Sequence, residues 1–280
     1  MASLLSEPAP LEAVLVRPHG LLEGPRITPA GVVFSDVIAG GVFRVAGDEV
    51  SELLPRRHGI GGLVPHRDGG FVVTGRSVLH VRDGAEQREL LTLDGVSGFN
   101  DLSTAANGDL LVGALRYRPL AGESPRPGIL LRLTADGSAE MLSEGVVWPN
   151  GVGPSPDGAT VYVSDYADRR VLAIPADGGA AEVFSESPRG SADGLAVDAD
   201  GGVWVALGEG GGVARFTAAG ELEAIVDVPA RFVSSLSFGG EDGRDVAITT
   251  ADNLRTPETG GCVFMARSEV PGLPVVPAAV

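Results

Sequence analysis

The chain of 280 residues contains a single cysteine, Cys262. An internal disulfide is therefore excluded, and so is a metal site built on cysteine thiolates. Aromatic residues make up only 5% of the sequence, whereas 44% of the residues are hydrophobic. A large core must therefore consist mainly of aliphatic side chains. Cys262 lies in a segment that we predict to be a strand, and we expect it to be a small buried apolar residue.

Long apolar runs and basic clusters are also missing. No run of 18 apolar residues is present, which argues against a membrane-spanning segment. The first twenty residues lack a basic segment followed by an apolar one, so we predict no signal peptide and a cytoplasmic protein. The formal net charge of −16 argues against binding to nucleic acid or to an anionic membrane surface. We expect a small-molecule substrate as partner and a monomer or weak homodimer.

Glycine and proline are abundant, with 41 and 20 residues, and no window shows a sustained helical apolar period. Short turns followed by apolar strands recur roughly every forty residues, a period typical of propeller blades with four antiparallel strands. The turns are Ala30-Gly31, Asp68-Gly69, Asn107-Gly108, Asp157-Gly158, Asp200-Gly201 and Asp242-Gly243. The repeat predicts an all-β, six-bladed β-propeller that occupies residues 1–280 as a single domain.

A propeller ring has to be closed, and two segments outside the repeat are candidates for this role. Leu11–Arg17 and Gly261–Ala266 both read as strands, and we predict that they join in one blade and leave few open edges. The longest interval between turns contains Arg116–Gly128, a Pro- and Arg-rich insertion that we predict to be a loop. The tail, about residues 271–280, is expected to lie along the surface or to fray.

The residue eight positions before each turn glycine should enter the innermost strand of its blade and face the central channel. These residues are Glu23, Gly61, Asn100, Asn150, Asp193 and Ser235. Four of them carry a carboxylate or an amide, and such oxygen ligands suit Ca²⁺, Mg²⁺ or Mn²⁺ better than Zn²⁺. Asn and Asp are also common turn residues. Because four polar residues share one register, and glutamate is a poor turn former, the pattern favours a divalent-cation site.

Five motifs give the sequence a family resemblance that extends over nearly the whole chain. The motifs are EGP from Glu23, ND from Asn100, PNG from Pro149, SPDGATVYVSD from Ser155 and DGLAVDADGGVWVA from Asp193. They resemble the senescence-marker-protein, gluconolactonase and luciferin-regenerating-enzyme family of six-bladed propellers. The resemblance implies one divalent cation, usually Ca²⁺, with Mg²⁺, Mn²⁺ or Zn²⁺ as alternatives. It also implies metal-dependent hydrolysis of a lactone or another ester, a reaction of class EC 3.1.

The resemblance also assigns the ligands of the cation. Glu23, Asn150 and Asp193 would hold it, and Asn100 would lie beside it and contact the metal or the substrate. We expect Asp193 to act additionally as the general base and Asn100 to orient the substrate carbonyl oxygen, so these two residues are the predicted catalytic groups. No GxSxG motif is present, which weakens a serine-hydrolase interpretation.

Three departures from the family pattern concern the substrate. Gly98 stands where the sugar lactonases of the family carry an arginine, Leu102 replaces a glycine, and Ile27 replaces a tryptophan. We therefore expect a more apolar substrate than a polyol aldonolactone. One alternative is a non-hydrolytic biosynthetic enzyme, an isomerase, cyclase or lyase, that uses the same metal-containing channel. A binding scaffold without chemistry is a third hypothesis.

Further substrate contacts are predicted around the channel mouth. The predicted substrate-binding residues are Asn100, Arg116, Arg118, Trp148 and His58. Arg116 and Arg118 would meet a carboxylate or phosphate, and Trp148 would form a pocket wall or belong to the core. His58 and His66 would face the channel as a base, or be solvated loop residues. Tyr166 is expected on the surface of its blade.

Overall fold

The turns of the repeat are tight reversals between antiparallel strands, as the sequence predicts. In the Asp157-Gly158 turn, the Asp157 carboxylate accepts a hydrogen bond from the Ala159 N–H at 3.0 Å. Gly158 has φ of 71°, a conformation that glycine adopts without a steric penalty. The computed structural model describes residues 4–12, 14, 19–55, 57–82 and 86–280.

The strands follow one another along the chain in groups of four, numbered here from β1. The N-terminal strand is β1, Ala9–Pro10. Blade 1 contains β2 Leu22–Thr28, β3 Gly31–Asp36, β4 Val42–Ala46 and β5 Glu49–Leu54. Blade 2 contains β6 Leu63–Pro65, β7 Phe71–Val73, β8 Val78–Arg82 and β9 Glu86–Leu91. Blade 3 contains β10 Gly98–Thr104, β11 Leu110–Leu115, β12 Ile129–Leu133 and β13 Ala139–Glu144.

The second half of the ring repeats the same pattern. Blade 4 contains β14 Pro149–Pro154, β15 Thr160–Asp165, β16 Arg170–Pro175 and β17 Glu182–Glu186. Blade 5 contains β18 Leu195–Val197, β19 Val203–Ala206, β20 Gly212–Phe216 and β21 Leu222–Asp227. Blade 6 contains β22 Val233–Gly239, β23 Asp245–Thr250 and β24 Val263–Arg267. Short 3₁₀ helices lie at Pro119–Ala121 and Pro257–Thr259.

Blade 6 is completed by the N-terminal strand, so the two ends of the chain close the ring. Its strand order is β1-β24-β23-β22, and Ala9 pairs with Met265 in antiparallel register. The prediction of six four-stranded blades closed by both termini is confirmed. The N-terminal strand lies earlier than the predicted 11–17, and residues 13 and 15–17 of that prediction lie outside the described part of the chain.

The core lies between neighbouring blades and consists mainly of aliphatic side chains. Val33 and Val42 of blade 1, for example, pack with Leu63 and Val73 of blade 2. Cys262 is completely buried, as expected for a small apolar residue at this position. Burial of this aliphatic surface against the adjacent blade stabilises the ring, since a single four-stranded sheet would leave its faces in water.

The C-terminal tail crosses the end of the channel, where backbone hydrogen bonds join it to several blades. The Leu273 N–H donates to the Val197 carbonyl at 2.9 Å, and the Ala278 N–H donates to the Pro65 carbonyl at 2.8 Å. Ala278 is completely buried. His66 is bonded at this end through its Nε2 to the carbonyl oxygen of Val280, at 2.9 Å. His66 therefore faces the tail and not the channel mouth predicted for it.

Candidate functional site

Irregular pairing of the innermost strands aims the predicted ring residues at the axis. The register between β2 and β3 shifts between Glu23 and Arg26. It shifts between Phe99 and Leu102 in blade 3, and between Pro149 and Val152 in blade 4. Such bulges rotate side chains out of the regular alternation of a strand. Glu23, Asn100 and Asn150, the channel-facing residues predicted in blades 1, 3 and 4, thus lie within the innermost strands at their irregular ends. The sequence predicts them just before these strands.

Asp193 and Asn150 meet where blades 4 and 5 adjoin. Asp193 directly precedes Gly194 and β18 and is only 2% exposed, and its carboxylate accepts a hydrogen bond from the Asn150 side-chain amide. The Gly151 N–H donates to the Asp193 carbonyl at 3.2 Å. A Cβ on Gly151 would lie 2.1 Å from the Leu195 nitrogen, so only glycine lets these two backbones approach this closely.

Glu23 brings a second carboxylate into the same buried region. Glu23 is 7% exposed, and its Oε2 atom has no hydrogen-bond partner among the described residues. Burial, followed by the negative charges of Asp193 and Asp101, raises the pKa of Glu23 well above its usual value. Burial and the charge of Asp101 likewise raise the pKa of Asp193. The two carboxylates therefore lack sufficient positive charge nearby to stabilise both in the ionised state.

The residues at this point fit a divalent cation. Glu23 and Asp193 supply two carboxylates, Asn150 supplies an amide, and the unpartnered Oε2 of Glu23 provides a free acceptor. A hard cation with oxygen ligands offsets the cost of two buried negative charges. Within the described residues, no three His, Cys, Asp or Glu side chains form a metal-binding cluster. A cation here would thus depend on the amide oxygen of Asn150 in addition to the carboxylates.

Asn100 lies beside this group in the wall of the channel. Its Nδ2 atom donates to the Pro149 carbonyl at 3.1 Å, and its own carbonyl oxygen accepts from the Thr74 hydroxyl at 2.5 Å. Gly61 packs against it, since a Cβ there would lie 2.6 Å from the Asn100 Oδ1 atom. Gly61, the equivalent residue of blade 2, therefore leaves space for the Asn100 amide and supplies no ligand.

A cavity of about 580 Å³ opens above these residues. Its floor includes Glu23, Asn100, Asn150 and Asp193. The apolar and aromatic side chains around it are Leu21, Val37, Ile38, Phe99, Leu115, Tyr117, Pro119, Trp148, Tyr166, Phe232 and Ala251. The polar candidate ligands thus lie at the bottom of a largely apolar pocket, an arrangement typical of small-molecule sites.

Three aromatic rings form one continuous wall of this cavity. The rings of Tyr117 and Trp148 are 6.4 Å apart with an interplanar angle of 83°, and those of Trp148 and Tyr166 are 4.5 Å apart at 44°. The Asp165 carboxylate accepts from the Trp148 backbone N–H at 3.0 Å and so fixes the start of β14. Trp148 thus forms part of the pocket wall, as its place before the PNG motif predicts.

The expectation that Tyr166 lies on the surface of its blade is wrong. It lines the cavity, and burial, followed by the negative charge of Asp193, raises the pKa of Tyr166 to about 12. Its phenol therefore remains a hydrogen-bond donor at neutral pH. The sequence does contain one signal for this position. Tyr166 directly follows β15, and β15 ends on the side of the ring where β14 begins.

The predicted cationic and imidazole contacts are distributed unevenly. Arg118 and His58 line the cavity, whereas Arg116 is paired with Glu144. Arg118 is itself held by Glu123, with its Nε atom 2.7 Å from a carboxylate oxygen. His58 is bonded through Nδ1 to the carbonyl oxygen of Ile38 at 2.7 Å. Arg116 and Arg118 are thus already engaged with carboxylates of the chain.

Two further buried charged residues, Asp101 and Arg26, lie close to the candidate ligands. Asp101 is 4% exposed, and burial raises its pKa to about 6 although the positive charge of Arg26 acts in the opposite direction. Arg26 is also buried and donates to the carbonyl oxygens of Pro25 at 2.7 Å and Leu102 at 3.1 Å. Among the described residues, three carboxylates and one guanidinium group thus lie together in the buried channel, which leaves an excess of negative charge near Glu23.

The sequence matches the profile of the SMP-30/Gluconolactonase/LRE-like region over residues 21–252. It is 31% identical over 285 aligned positions to the 6-deoxy-6-sulfogluconolactonase of Pseudomonas putida, which covers 94% of this chain and 96% of that protein. It is 33% identical over 202 positions to the pentonolactonase XacC of Haloferax volcanii, which covers 69% of this chain and 67% of that protein.

The crystal structure of the calcium-binding protein regucalcin from Agrobacterium tumefaciens superimposes with a TM-score of 0.82. The match covers 99% of this chain and 98% of that chain at 21% sequence identity, and it shows a shared fold. Among the described residues, no helix is long and apolar enough to cross a membrane.

Proposed function

The chain belongs to the SMP-30/gluconolactonase/LRE-like family, and from this premise we propose that it is a divalent-metal-dependent hydrolase of a lactone. The observation that carries the proposal is the pair of buried carboxylates, Glu23 and Asp193, at the base of a cavity large enough for a small ring compound. The lactonases named among its relatives supply the reaction class.

Glu23, Asn150 and Asp193 would hold the cation, and Ca²⁺ is our preferred metal because all three ligands are oxygens and a calcium-binding protein shares the fold. When bound, such a cation supplies Lewis-acid polarisation of the lactone carbonyl and electrostatic stabilisation of the developing oxyanion. Asn100 orients the same carbonyl oxygen through the second N–H of its amide, which is not used by the bond to Pro149.

Asp193 acts as the general base in this proposal. As a water molecule attacks the carbonyl carbon, the Asp193 carboxylate accepts one of its protons. Collapse of the tetrahedral species breaks the ring C–O bond, and the protonated Asp193 returns the proton to the departing alkoxide oxygen. The product is a ring-opened hydroxy acid. Tyr166 and Trp148 form the aromatic wall beside these groups, where they exclude water from one face of the ring.

The apolar wall of the cavity supports a substrate less hydroxylated than an aldonolactone. Trp148 and Phe99 offer faces for hydrocarbon or aromatic groups, whereas many hydroxyl groups would lose hydration there without gaining partners. We therefore propose a lactone with an apolar portion, and the panel that tests this should include glucono-δ-lactone as the hydroxylated reference.

The test is turnover of a lactone panel by the purified full chain, first stripped by a chelator and then reloaded with Ca²⁺, Mg²⁺, Mn²⁺ or Zn²⁺. We expect acid release and a mass gain of one water for alkyl- or aryl-substituted lactones, with little turnover in the stripped protein. Equal turnover with and without chelator would contradict the metal dependence. An unsaturated acid as product, formed without addition of water, would identify a lyase that uses the same metal-containing channel.

A further inference from the structure

One arginine at the cavity rim has no side-chain partner among the residues that the structure describes. Arg76 lies in the turn between β7 and β8, is exposed, and lines the cavity. No ion pair or hydrogen bond of its side chain exists with any other residue in the described part of the chain. Arg116 and Arg118, by contrast, are paired with Glu144 and Glu123. The Arg76 guanidinium is therefore available to a ligand in the cavity.

The surroundings of Arg76 leave room for such a ligand. Gly98 lines the same wall, and a Cβ added there would lie 3.1 Å from the Gly75 carbonyl oxygen and 3.9 Å from the Arg76 Cα atom. A larger residue at 98 would thus fill the space beside Arg76. Because Gly98 has no side chain, the rim is open at this point.

A second guanidinium strengthens the positive potential of this rim. A Cβ on Gly75 would lie 3.4 Å from the Arg57 Nη2 atom, so the Arg57 side chain packs directly on the residue that precedes Arg76. The Arg57 Nε atom is buried and has no hydrogen-bond partner within the described part of the chain. The formal net charge of the chain is −16, so a positive rim on this cavity contrasts with the rest of the surface and favours an anion locally.

The position of Arg76 in the ring sets the orientation of the ligand. Blades follow one another around the axis in chain order, so blade 2, with Arg76, lies across the channel from blade 5, with Asp193. The aromatic wall of Tyr117, Trp148 and Tyr166 lies between them on one side. A molecule that spans the cavity from blade 2 to blade 5 therefore presents one group to Arg76 and another to the Asp193 carboxylate.

We propose that Arg76 is a specificity-determining residue that binds an anionic substituent, a carboxylate or sulfonate, on the ring compound that this cavity accepts. The inference rests on the proposed hydrolase function for the lactone group, which would lie towards Asp193, while the anionic substituent points to blade 2. The planar fork of a guanidinium binds either anion through two parallel hydrogen bonds.

The test measures binding of non-hydrolysable probes to the cation-loaded full chain by calorimetry. The probes are cyclopentanecarboxylate, cyclopentanesulfonate and the neutral cyclopentanecarboxamide, compared in the native chain and in Arg76→Met. We expect both anions to bind more tightly than the amide, and Arg76→Met to weaken anion binding about tenfold while amide binding is unchanged. Comparison of the two anions decides which chemistry the rim prefers.

Arg67→Met is the matched control, since Arg67 is an exposed arginine of the same blade whose backbone N–H contacts the C-terminal tail at the opposite end of the channel. It should leave anion binding unchanged, and Arg76→Lys should restore it only in part. Equal anion preference in native chain and Arg76→Met would overturn the proposal, because the anion would then bind elsewhere, for example to the cation. Equal affinity for anion and amide in the native chain would also overturn it.

The same probes separate this inference from the proposed function. Arg76-dependent anion binding in a protein that hydrolyses no lactone would uphold the binding site and contradict the hydrolase. Lactone hydrolysis without Arg76-dependent anion binding would uphold the hydrolase and contradict the binding site.

Discussion

Asn150 donates its side-chain amide N–H to the carboxylate of Asp193 across the boundary between two blades. The two residues are 43 positions apart in the sequence, and a backbone bond of 3.2 Å from Gly151 to Asp193 supports the contact. Each candidate ligand is therefore positioned partly by the other, and both depend on the close approach of β14 to the start of β18. Substitutions here should affect cation binding before they affect the fold.

Asp193→Ala should abolish cation binding and hydrolysis while the ring stays folded. Asp193 precedes β18 and takes no part in a blade's side-chain core, so its loss removes a ligand and the general base together. The measurement is bound calcium per chain, together with turnover and circular dichroism. Asp157→Ala, in an exposed turn far from the channel, is the control that should bind calcium and turn over substrate as the native chain does. Full activity of Asp193→Ala would contradict both roles.

Glu23→Gln should have opposite effects on the cation-free and the cation-loaded protein. Glutamine replaces a buried carboxyl group whose pKa is raised first by burial and then by the negative charges of Asp193 and Asp101, so the stripped variant should melt at the same or a higher temperature than the native chain. Its affinity for Ca²⁺ should fall about tenfold or more, because a charged ligand becomes neutral. Thermal melts with and without Ca²⁺ give both quantities. An unchanged Ca²⁺-induced shift would exclude Glu23 as a ligand.

The repeated turns allowed the fold and the ring register to be predicted from sequence. A turn glycine fixes where a hairpin reverses, and an equal count back from each glycine fixes which residue enters the channel. This count identifies Asn150 and Asp193 because the same number of residues separates the channel position from the turn glycine in each blade. The innermost strand of each blade must pack at the axis, so equivalent positions face the same place.

Features that depend on contacts between distant segments could not be predicted in the same way. The N-terminal strand pairs at Ala9 with Met265, and its register is set by blade 6 and not by its own sequence. Tyr166 and Arg76 lie just after strands at the channel mouth, where no turn count marks them. Their roles follow from the shape of the cavity, which forms only when six blades are assembled.

The Asp36 carboxylate should make the protein sensitive to acid. Burial alone would raise the pKa of Asp36, but hydrogen bonds from His19 and from the backbone N–H groups of Gly20 and Ala39 outweigh it and lower the pKa. The pKa of Asp36 is lower in the folded chain than in the unfolded chain. The ionised carboxylate therefore stabilises the fold above about pH 4, and this stabilisation is lost as the pH falls through the folded-state pKa. Asp36 thereby holds the loop that carries Ile38 at the cavity rim.

Asp36→Asn isolates this contribution. We expect the native chain to exceed the variant in free energy of unfolding by about 2 kcal/mol at neutral pH, since charged hydrogen bonds are lost. The difference should shrink below pH 4 as Asp36 becomes protonated. Urea unfolding from pH 3 to pH 7 measures both. A difference that stays constant with pH would show that ionisation of Asp36 does not stabilise the fold.

Gly151 and Gly153 offer a matched pair of substitutions in β14. A Cβ on Gly151 would lie 2.1 Å from the Leu195 nitrogen, whereas one on Gly153 would lie 3.2 Å from the Leu195 Cδ1 atom. A backbone atom of the neighbouring blade cannot move aside, but the end of a leucine side chain can rotate. Gly151→Ala should therefore cost about 3 kcal/mol or more in unfolding free energy, and Gly153→Ala about 1 kcal/mol or less.

The same pair also tests how blade packing positions the site. In Gly151→Ala the strand carrying Asn150 must move away from Asp193, so the protein that remains folded at low temperature should bind Ca²⁺ more weakly. Gly153→Ala should keep native affinity, because Gly153 lies farther along β14 from the candidate ligands. Urea unfolding and calcium titration of both variants provide the comparison. Equal losses of stability in the two variants would contradict the close approach of β14 to Leu195, and native calcium affinity in Gly151→Ala would separate the cation site from this packing.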